Sequence, residues 1–344
     1  RSTPKPSSAA SDVYKRQAYM KLMRIGNVFT AFANILMGFL VVQADTGVIG
    51  LTTDDLVILV ALLASTFGLY SAGMVLNDVF DVERDRAERQ NRPIPEGQIS
   101  LAAAQKLGWS LLIFGILCSL AAGKNGVIIA FAVAISVVLY DWILKQTPIA
   151  PIAMGACRTF NILLGMSLAQ SNSAVLMGFS QHHLIIAGSI GIFVAGLTWF
   201  ARTEAKVSSR WLLAFGVLIM CAGLYGLAMF PRFVPHPEHL RLDKDTAATL
   251  IGLLGMLTLY RCVLAVADPV PAKVQAGVVG CLKSLIFLDA SVVLIVSDRT
   301  LAIVTLALLI PMLIIGKKIR ATSVSYTHLR AHETLRYLVC RLLL

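Results

Sequence analysis

The sequence predicts an all-α protein, a polytopic bundle of nine or ten membrane-spanning helices. Composition is the first reason: 57% of the residues are hydrophobic and 14% charged, with a mean hydropathy of +0.76, which excludes an ordinary soluble globule. Recurrence is the second, because runs of about 20 mainly apolar residues, long enough to cross a hydrocarbon core, return along most of the chain. The third is where the charge lies. Basic residues gather at the ends of the apolar runs, so the formal net charge of +11 reads as membrane topology and lipid-headgroup contact, not nucleic-acid binding.

The runs fall near residues 20–43, 55–79, 101–122, 125–144, 149–170, 182–201, 211–230, 247–266, 275–297 and 299–316. Connections bearing Arg84, Arg86, Arg89, Arg92, Lys145, Arg202, Lys206, Arg210, Arg261 and Lys273 alternate with connections poorer in base, which hold Lys124, Arg232, Arg241, Lys244 and Arg299. Cytoplasmic loops carry the basic excess, so the first set is expected on the cytoplasmic side of a bacterial inner membrane, with Lys21, Arg24, Lys317, Lys318 and Arg320. An even number of spans with both ends inside agrees with that pattern. Residues 18–320 are expected to form this one membrane domain. Residues 1–17, polar and rich in Ser and Pro, and residues 321–344, which resemble translated vector sequence, read as foreign tails, so His328 and His332 are not candidate ligands. The six cysteines are scattered with no CxxC pair, which implies neither a disulfide framework nor a zinc site.

Chemistry concentrates between Asn77 and Ser100, in NDVFDVERDRAERQNRPIPEGQIS. On a helix turning about 100° per residue, Asn77, Asp81 and Asp85 follow one another at i+4 and drift about 40° per step, with Asp78 in the same sector. One face at the end of the second span therefore presents three carboxylates and an amide. Carboxylates so close repel one another, and the face is costly unless cations lie on it. Oxygen ligands favour Mg2+, which binds through one or two carboxylates plus substrate phosphates, so Asn77, Asp78, Asp81 and Asp85 are candidate metal ligands for a diphosphate site. The helix is expected to continue through Arg89 and stop before Arg92, because prolines at 93 and 95 disfavour helix ahead of them. That turn would direct Arg86, Arg89 and Arg92 to one cavity mouth, where guanidinium forks suit phosphate; Arg89 and Arg92 are the candidates for substrate binding.

The pattern NDxxDxxxD followed by RPIPxG runs unbroken through Asn77, Asp78, Asp81, Asp85, Arg89, Arg92, Pro93, Ile94, Pro95 and Gly97. It resembles the first aspartate-rich motif of the UbiA-type intramembrane prenyltransferases. The resemblance implies a bundle of usually nine spans and Mg2+-dependent transfer of a prenyl group from a prenyl diphosphate to an aromatic or other ring acceptor. By the same resemblance Asp81 and Asp85 are catalytic, Asn27 corresponds to an asparagine lining the headgroup cavity, and Tyr140 and Lys145 help to hold diphosphate. In many members that Tyr and Lys are four apart; here they are five apart. Where the family closes its sixth span with a second aspartate motif, commonly DxxxD, this chain reads TWFARTEAKVSSR, with Glu204 its only acid. Cationic side chains can replace part of a metal's charge against diphosphate. The FARTEA variant also resembles the divergent UbiA-like EboC branch.

Other candidates come from charge inside apolar runs. Arg158 and Asn161 lie at i+3 on one face of the fifth run, and a buried arginine is expensive unless it meets a polar cavity or an anion. Arg158 is therefore a candidate catalytic residue and Asn161 a substrate contact, against the structural alternative of a pair with Asp141, Glu204 or another acid. Asn34 in the first run, and Lys283 and Asp289 in the ninth, are expected to meet polar partners in the bundle. His236, Glu238 and His239 read as a surface loop. The rival functions are a non-catalytic isoprenoid-lipid carrier on the same fold and a generic transporter. The second leaves RPIPEG unexplained and lacks an internal repeat.

Overall fold

The computed structural model describes residues 8–47, 50–170, 175–202 and 208–317, and among them helices carry the whole fold. Along the chain these are α1 (Ser8–Leu22), α2 (Ile25–Asp45), α3 (Thr53–Phe80), α4 (Val82–Glu88), α5 (Leu101–Cys118) and α6 (Gly123–Trp142). They continue as α7 (Ala150–Gly165), α8 (Gln181–Ala201), α9 (Arg210–Met229), α10 (Lys244–Ala267), α11 (Pro271–Val296) and α12 (Arg299–Ala307). The apolar runs read from the sequence fall on these helices, the first straddling the break between α1 and α2 and the last extending beyond α12. Among the described residues eight segments are long and apolar enough to cross a membrane; one of them, Leu101–Trp142, contains both α5 and α6, and the 16-residue α7 falls below that length. The helix begins at Ser8, ahead of the expected domain start, while residues 1–7 and 318–344 lie outside the described residues.

Side-chain contacts fix the direction of each helix. Along α3, Gly68 meets Gly115 of α5 and Leu76 meets Gly108, so the two run antiparallel. Gly73 meets Val137 of α6 and Asn77 bonds Asp141, so α6 runs parallel to α3. The 42 apolar residues from Leu101 to Trp142 are thus a hairpin, reversed through the 3-10 turn Ser119–Ala122. The approach of α3 to α5 explains the small residues of the second run: a Cβ on Gly68 would lie 2.7 Å from the Leu111 carbonyl oxygen and 2.9 Å from the Gly115 Cα. Backbone cannot yield as a flexible side chain can, so helix contact here requires glycine.

The same reading continues around the molecule. Gly155 and Thr159 of α7 meet Gly191 and Ala187 of α8, Phe193 and Gly196 of α8 meet Gly223 and Gly216 of α9, Leu224 of α9 meets Gly255 of α10, and Thr258 and Cys262 of α10 meet Cys281 and Gly277 of α11. Successive helices therefore alternate, and α11 returns to α2, where Asp289 meets Asn34. Among the described residues, Arg84, Arg86, Arg89, Arg92, Lys145, Arg202, Arg210 and Lys273 come to one end of the bundle, with the start of α2 and the end of α3; Asp45, Lys124, Arg232, Arg241 and Arg299 come to the other. The core runs between the helices, α2 being the most enclosed. Outward-facing positions carry Leu56, Val60, Ile113, Leu117, Leu218, Leu253, Met256 and Leu257, a surface that suits acyl chains and not water. The protein is an integral membrane protein.

Candidate functional site

The acidic stripe is built by an unbroken ladder at the end of α3. Asp81 N–H donates to the Asn77 carbonyl (3.0 Å), Asp85 N–H to Asp81 (2.8 Å) and Arg89 N–H to Asp85 (2.9 Å). Asp81 itself, at φ −91°, ψ 5°, opens the helix slightly between α3 and α4, yet the i+4 alignment of the three side chains survives. Asp78 and Asp85 are buried and Asp81 is 15% exposed at its side chain. The carboxylates turn inward, as the spacing predicts.

Each carboxylate faces a cation. Arg92 Nη1 donates to Asp78 Oδ1 (2.6 Å) and Asp85 Oδ2 (2.8 Å), so one guanidinium bridges two acids seven residues apart. Arg24 Nη2 lies 3.2 Å from Asp78 Oδ1, and Lys145 Nζ lies 2.7 Å from Asp81 Oδ1. Asn77 Nδ2 donates to Asp141 Oδ1 (2.8 Å), bringing a fourth, buried carboxylate from α6 behind the stripe. These charges relieve the mutual repulsion that the stripe would otherwise suffer.

Local chain geometry explains which cations arrive. After α4 the segment from Arg92 folds into a turn in which Glu96 N–H donates to the Arg92 carbonyl and Gln98 and Ile99 N–H to the Pro93 carbonyl. Gly97 supplies the positive φ of 76° that closes it. Ile94 and Ile99 pack with Ala18, Leu22, Val75, Val79 and Ala104, pinning the turn to α1, α3 and α5 and setting Arg92 over the acids. Arg24 adopts φ 48°, ψ 44° at the start of α2, a left-handed conformation costing a side-chain-bearing residue about 1–3 kcal/mol unless its surroundings hold it; the contact with Asp78 is one such hold.

Lys145 reaches the stripe because α6 ends at Trp142 and a 3-10 turn spans Leu144–Gln146. That break carries Lys145 to Asp81, five residues on from Tyr140. Tyr140 is half-buried on the last turn of α6. Arg86 departs from its expected direction: it pairs with Glu83 (2.9 Å) and Arg84 with Glu88 (3.0 Å) along the exposed side of α4, where i+3 and i+4 spacing sets partners side by side. Arg89 is likewise exposed at the end of α4. The glutamate partner lifts the Arg84 guanidinium further above its ordinary value.

Deeper in the bundle a second polar constellation joins three helices. Arg158 Nη1 donates to Asn34 Oδ1 (2.7 Å) and Nη2 to Thr30 Oγ1 (3.3 Å), while Asn34 Nδ2 donates to both oxygens of Asp289 (2.9 and 2.8 Å). Asn34 thus relays between a guanidinium on α7 and a wholly buried carboxylate on α11. The acid reached by this relay is Asp289 and not Asp141. Asn161 is occupied at both ends of its amide, accepting from Thr66 and donating to the Ala31 carbonyl (3.2 Å). Asn27 is exposed one turn before Ala31 on the same face of α2.

Glu204 and Lys206 lie outside the described residues. Arg202, just ahead of them, donates to the Thr147 and Pro148 carbonyls (3.2 and 3.4 Å), which anchors the end of α8 two and three residues past Lys145. His236 pairs with Glu238 on the surface of the opposite end. Sequence reasoning missed Arg24 and Asn34 as site residues, because a basic residue at a span start reads as topology and an amide inside a span reads as packing. No local signal distinguishes the two uses.

The UbiA prenyltransferase family pattern covers residues 31–210, and the chain belongs to that family. It is 38% identical over 133 residues to the digeranylgeranylglyceryl phosphate synthase of Saccharolobus solfataricus, covering 38% of this chain and 44% of that protein. It is 36% identical over 134 residues to the synthase of the same name from Methanoculleus marisnigri, again covering 38% and 44%. The chain spans less than half the length of these curated relatives. Among solved structures, the fold is similar to the apo form of a UbiA homolog from Aeropyrum pernix K1, with TM-score 0.58, 16% identity, and 76% of this chain and 96% of that one covered. It is also similar to a UbiA homolog from Archaeoglobus fulgidus bound to DMAPP and Mg2+, with TM-score 0.50, 13% identity and coverage of 79% and 99%.

Proposed function

We propose that this protein transfers a prenyl group from a prenyl diphosphate to a lipophilic acceptor inside the membrane. The observation that carries the reading is the inward stripe of Asp78, Asp81 and Asp85 interleaved with Arg24, Arg92 and Lys145. Its hard oxygen donors fit Mg2+, with Asn77, Asp78, Asp81 and Asp85 as the residues that would hold it. Bound there, the ion supplies charge neutralisation for a leaving diphosphate. Arg92, Lys145 and Arg24 then have diphosphate oxygens as alternative partners to the carboxylates they now touch. The allylic C–O bond breaks with its electron pair on the diphosphate, and these cations stabilise the charge that develops. Surrounding helices exclude water from the cationic carbon until the acceptor captures it. The basic-rich end of the bundle favours the cytoplasmic face for this chemistry.

The acceptor expected from the motif is an aromatic or other ring. The name of the curated relatives favours a second class, a prenylated glyceryl phosphate. Purified protein with Mg2+ and prenyl diphosphates, offered each acceptor class in turn, is expected to release diphosphate and yield one prenylated product by mass spectrometry. Asp81→Ala and Asp85→Ala are expected to abolish prenyl diphosphate binding, whereas His236→Ala changes little. Binding without release supports the carrier reading; equal tolerance of all three substitutions sinks the site.

A further inference from the structure

At the end of the bundle remote from the acidic stripe, three side chains from two helices converge. Asp45 is the last residue of α2, and His182 and His183 are the second and third residues of α8. His182 Nε2 lies 3.2 and 3.1 Å from the two Asp45 oxygens, and His183 Nε2 lies 2.9 Å from Oδ2. One donor atom from each residue falls within a 4.8 Å group. Both imidazoles are 1% exposed, whereas the Asp45 side chain is 31% exposed and leaves one side of the group open.

As a hydrogen-bond network this cluster is incomplete. His183 Nε2 lies 2.9 Å from Asp45 Oδ2 but in a poorly aligned contact, and His182 Nδ1 is buried without a hydrogen bond. Buried polar atoms are normally paired, so of these two His183 Nε2 is the atom that a bound ion would give a partner.

We propose that Asp45, His182 and His183 bind a divalent transition-metal ion, with Zn2+ the best match, at a site separate from the diphosphate chemistry. Two imidazoles and a carboxylate form a borderline N/O set that suits zinc, whereas Mg2+ prefers oxygen alone. Bonds of about 2.0–2.2 Å set neighbouring donors of a tetrahedron about 3.3 Å apart, so the separations between Asp45 and each histidine need open only by a few tenths of an ångström. The exposed side of Asp45 leaves the fourth position to water. Each neutral ring gives its Nε2 lone pair and carries its proton on Nδ1. The Ser180 amide now donates to His183 Nδ1 (3.1 Å), so that contact gives way on binding, and the buried Ser180 hydroxyl is the acceptor at hand. The ion would clamp the end of α2 to the start of α8.

The test uses the full chain purified without a polyhistidine tag, stripped with chelator and then given Zn2+ or Co2+. Wild type is expected to retain about one zinc per chain after desalting, to show the strong visible bands of tetrahedral Co2+, and to melt at a higher temperature with metal. Asp45→Asn and His182→Asn are expected to lose the ion, the bands and the rise in Tm, whereas the Cys262→Ser/Cys281→Ser variant keeps all three. Asp45, being partly exposed, keeps the test open should a histidine variant not fold. Zinc absent from wild type, zinc retained equally by Asp45→Asn, or a Tm that follows pH alone overturns the proposal.

Discussion

Arg92 lies over two buried carboxylates, and removing it would leave both without their shared counter-charge. Arg92→Ala is expected to cost about 3–5 kcal/mol in detergent-solubilised protein, read by denaturant or thermal unfolding, because an uncompensated buried charge is the expensive outcome. Arg92→Lys should recover only part, since a point charge cannot serve two acids as a fork does. At Arg158 the relay through Asn34 makes a sharper forecast. Arg158→Met and Asp289→Asn are each expected to destabilise, and the double variant to be less destabilised than their sum by at least roughly 0.5 kcal/mol, as coupled partners are. Strict additivity would show that Asn34 transmits nothing between them.

The elements depend on close contact more than on propensity. α3 approaches α5 through Gly68 and Gly115, and the same helix delivers the acidic stripe, so its depth in the bundle sets where Asp78 and Asp81 meet Arg24 and Lys145. Gly68→Leu is expected to cost upwards of about 1–3 kcal/mol by forcing the helices apart, and to weaken prenyl diphosphate binding although it lies about two turns or more from the stripe. Binding unchanged alongside the lost stability would separate packing from site geometry. The break between Trp142 and Leu144 is a comparable case, in which the end of an element, and not its length, brings Lys145 to Asp81. At the opposite end, Asp243 and Asp298 cap α10 and α12, and the backbone and hydroxyl donors of Thr246 and Thr300 hold their carboxyls below the usual range. That contribution is present above the ordinary carboxylate value and is lost as pH falls through the lowered one.

At the scale of the whole molecule, alternation of the helices sorts the charge. Arg84 to Arg92, Lys145, Arg202 and Arg210 share an end with the acidic stripe, and Lys124, Arg232, Arg241 and Arg299 occupy the other. Single cysteines introduced at Arg86 and Arg210 are expected to react with an impermeant maleimide from the cytoplasmic side only, and those at Lys124 and Arg299 from the opposite side only. Labelling of all four from one side would contradict the alternating path.

The membrane class, the helical runs and the i+4 stripe were legible in the sequence because composition and helical period are local properties that neighbouring residues specify. So was the family, since NDxxDxxxD and RPIPxG lie within one short stretch. The tertiary structure alone decided that Arg92 turns inward while Arg86 turns away, that Lys145 meets Asp81, and that Asn34 links Arg158 to Asp289. It also brought Asp45 to His182 and His183, and Cys262 within 3.4 Å of Cys281. Each of these depends on which faces of separate helices meet, and in a bilayer that choice is made by packing and buried polar contacts, which leave no periodic trace in the chain.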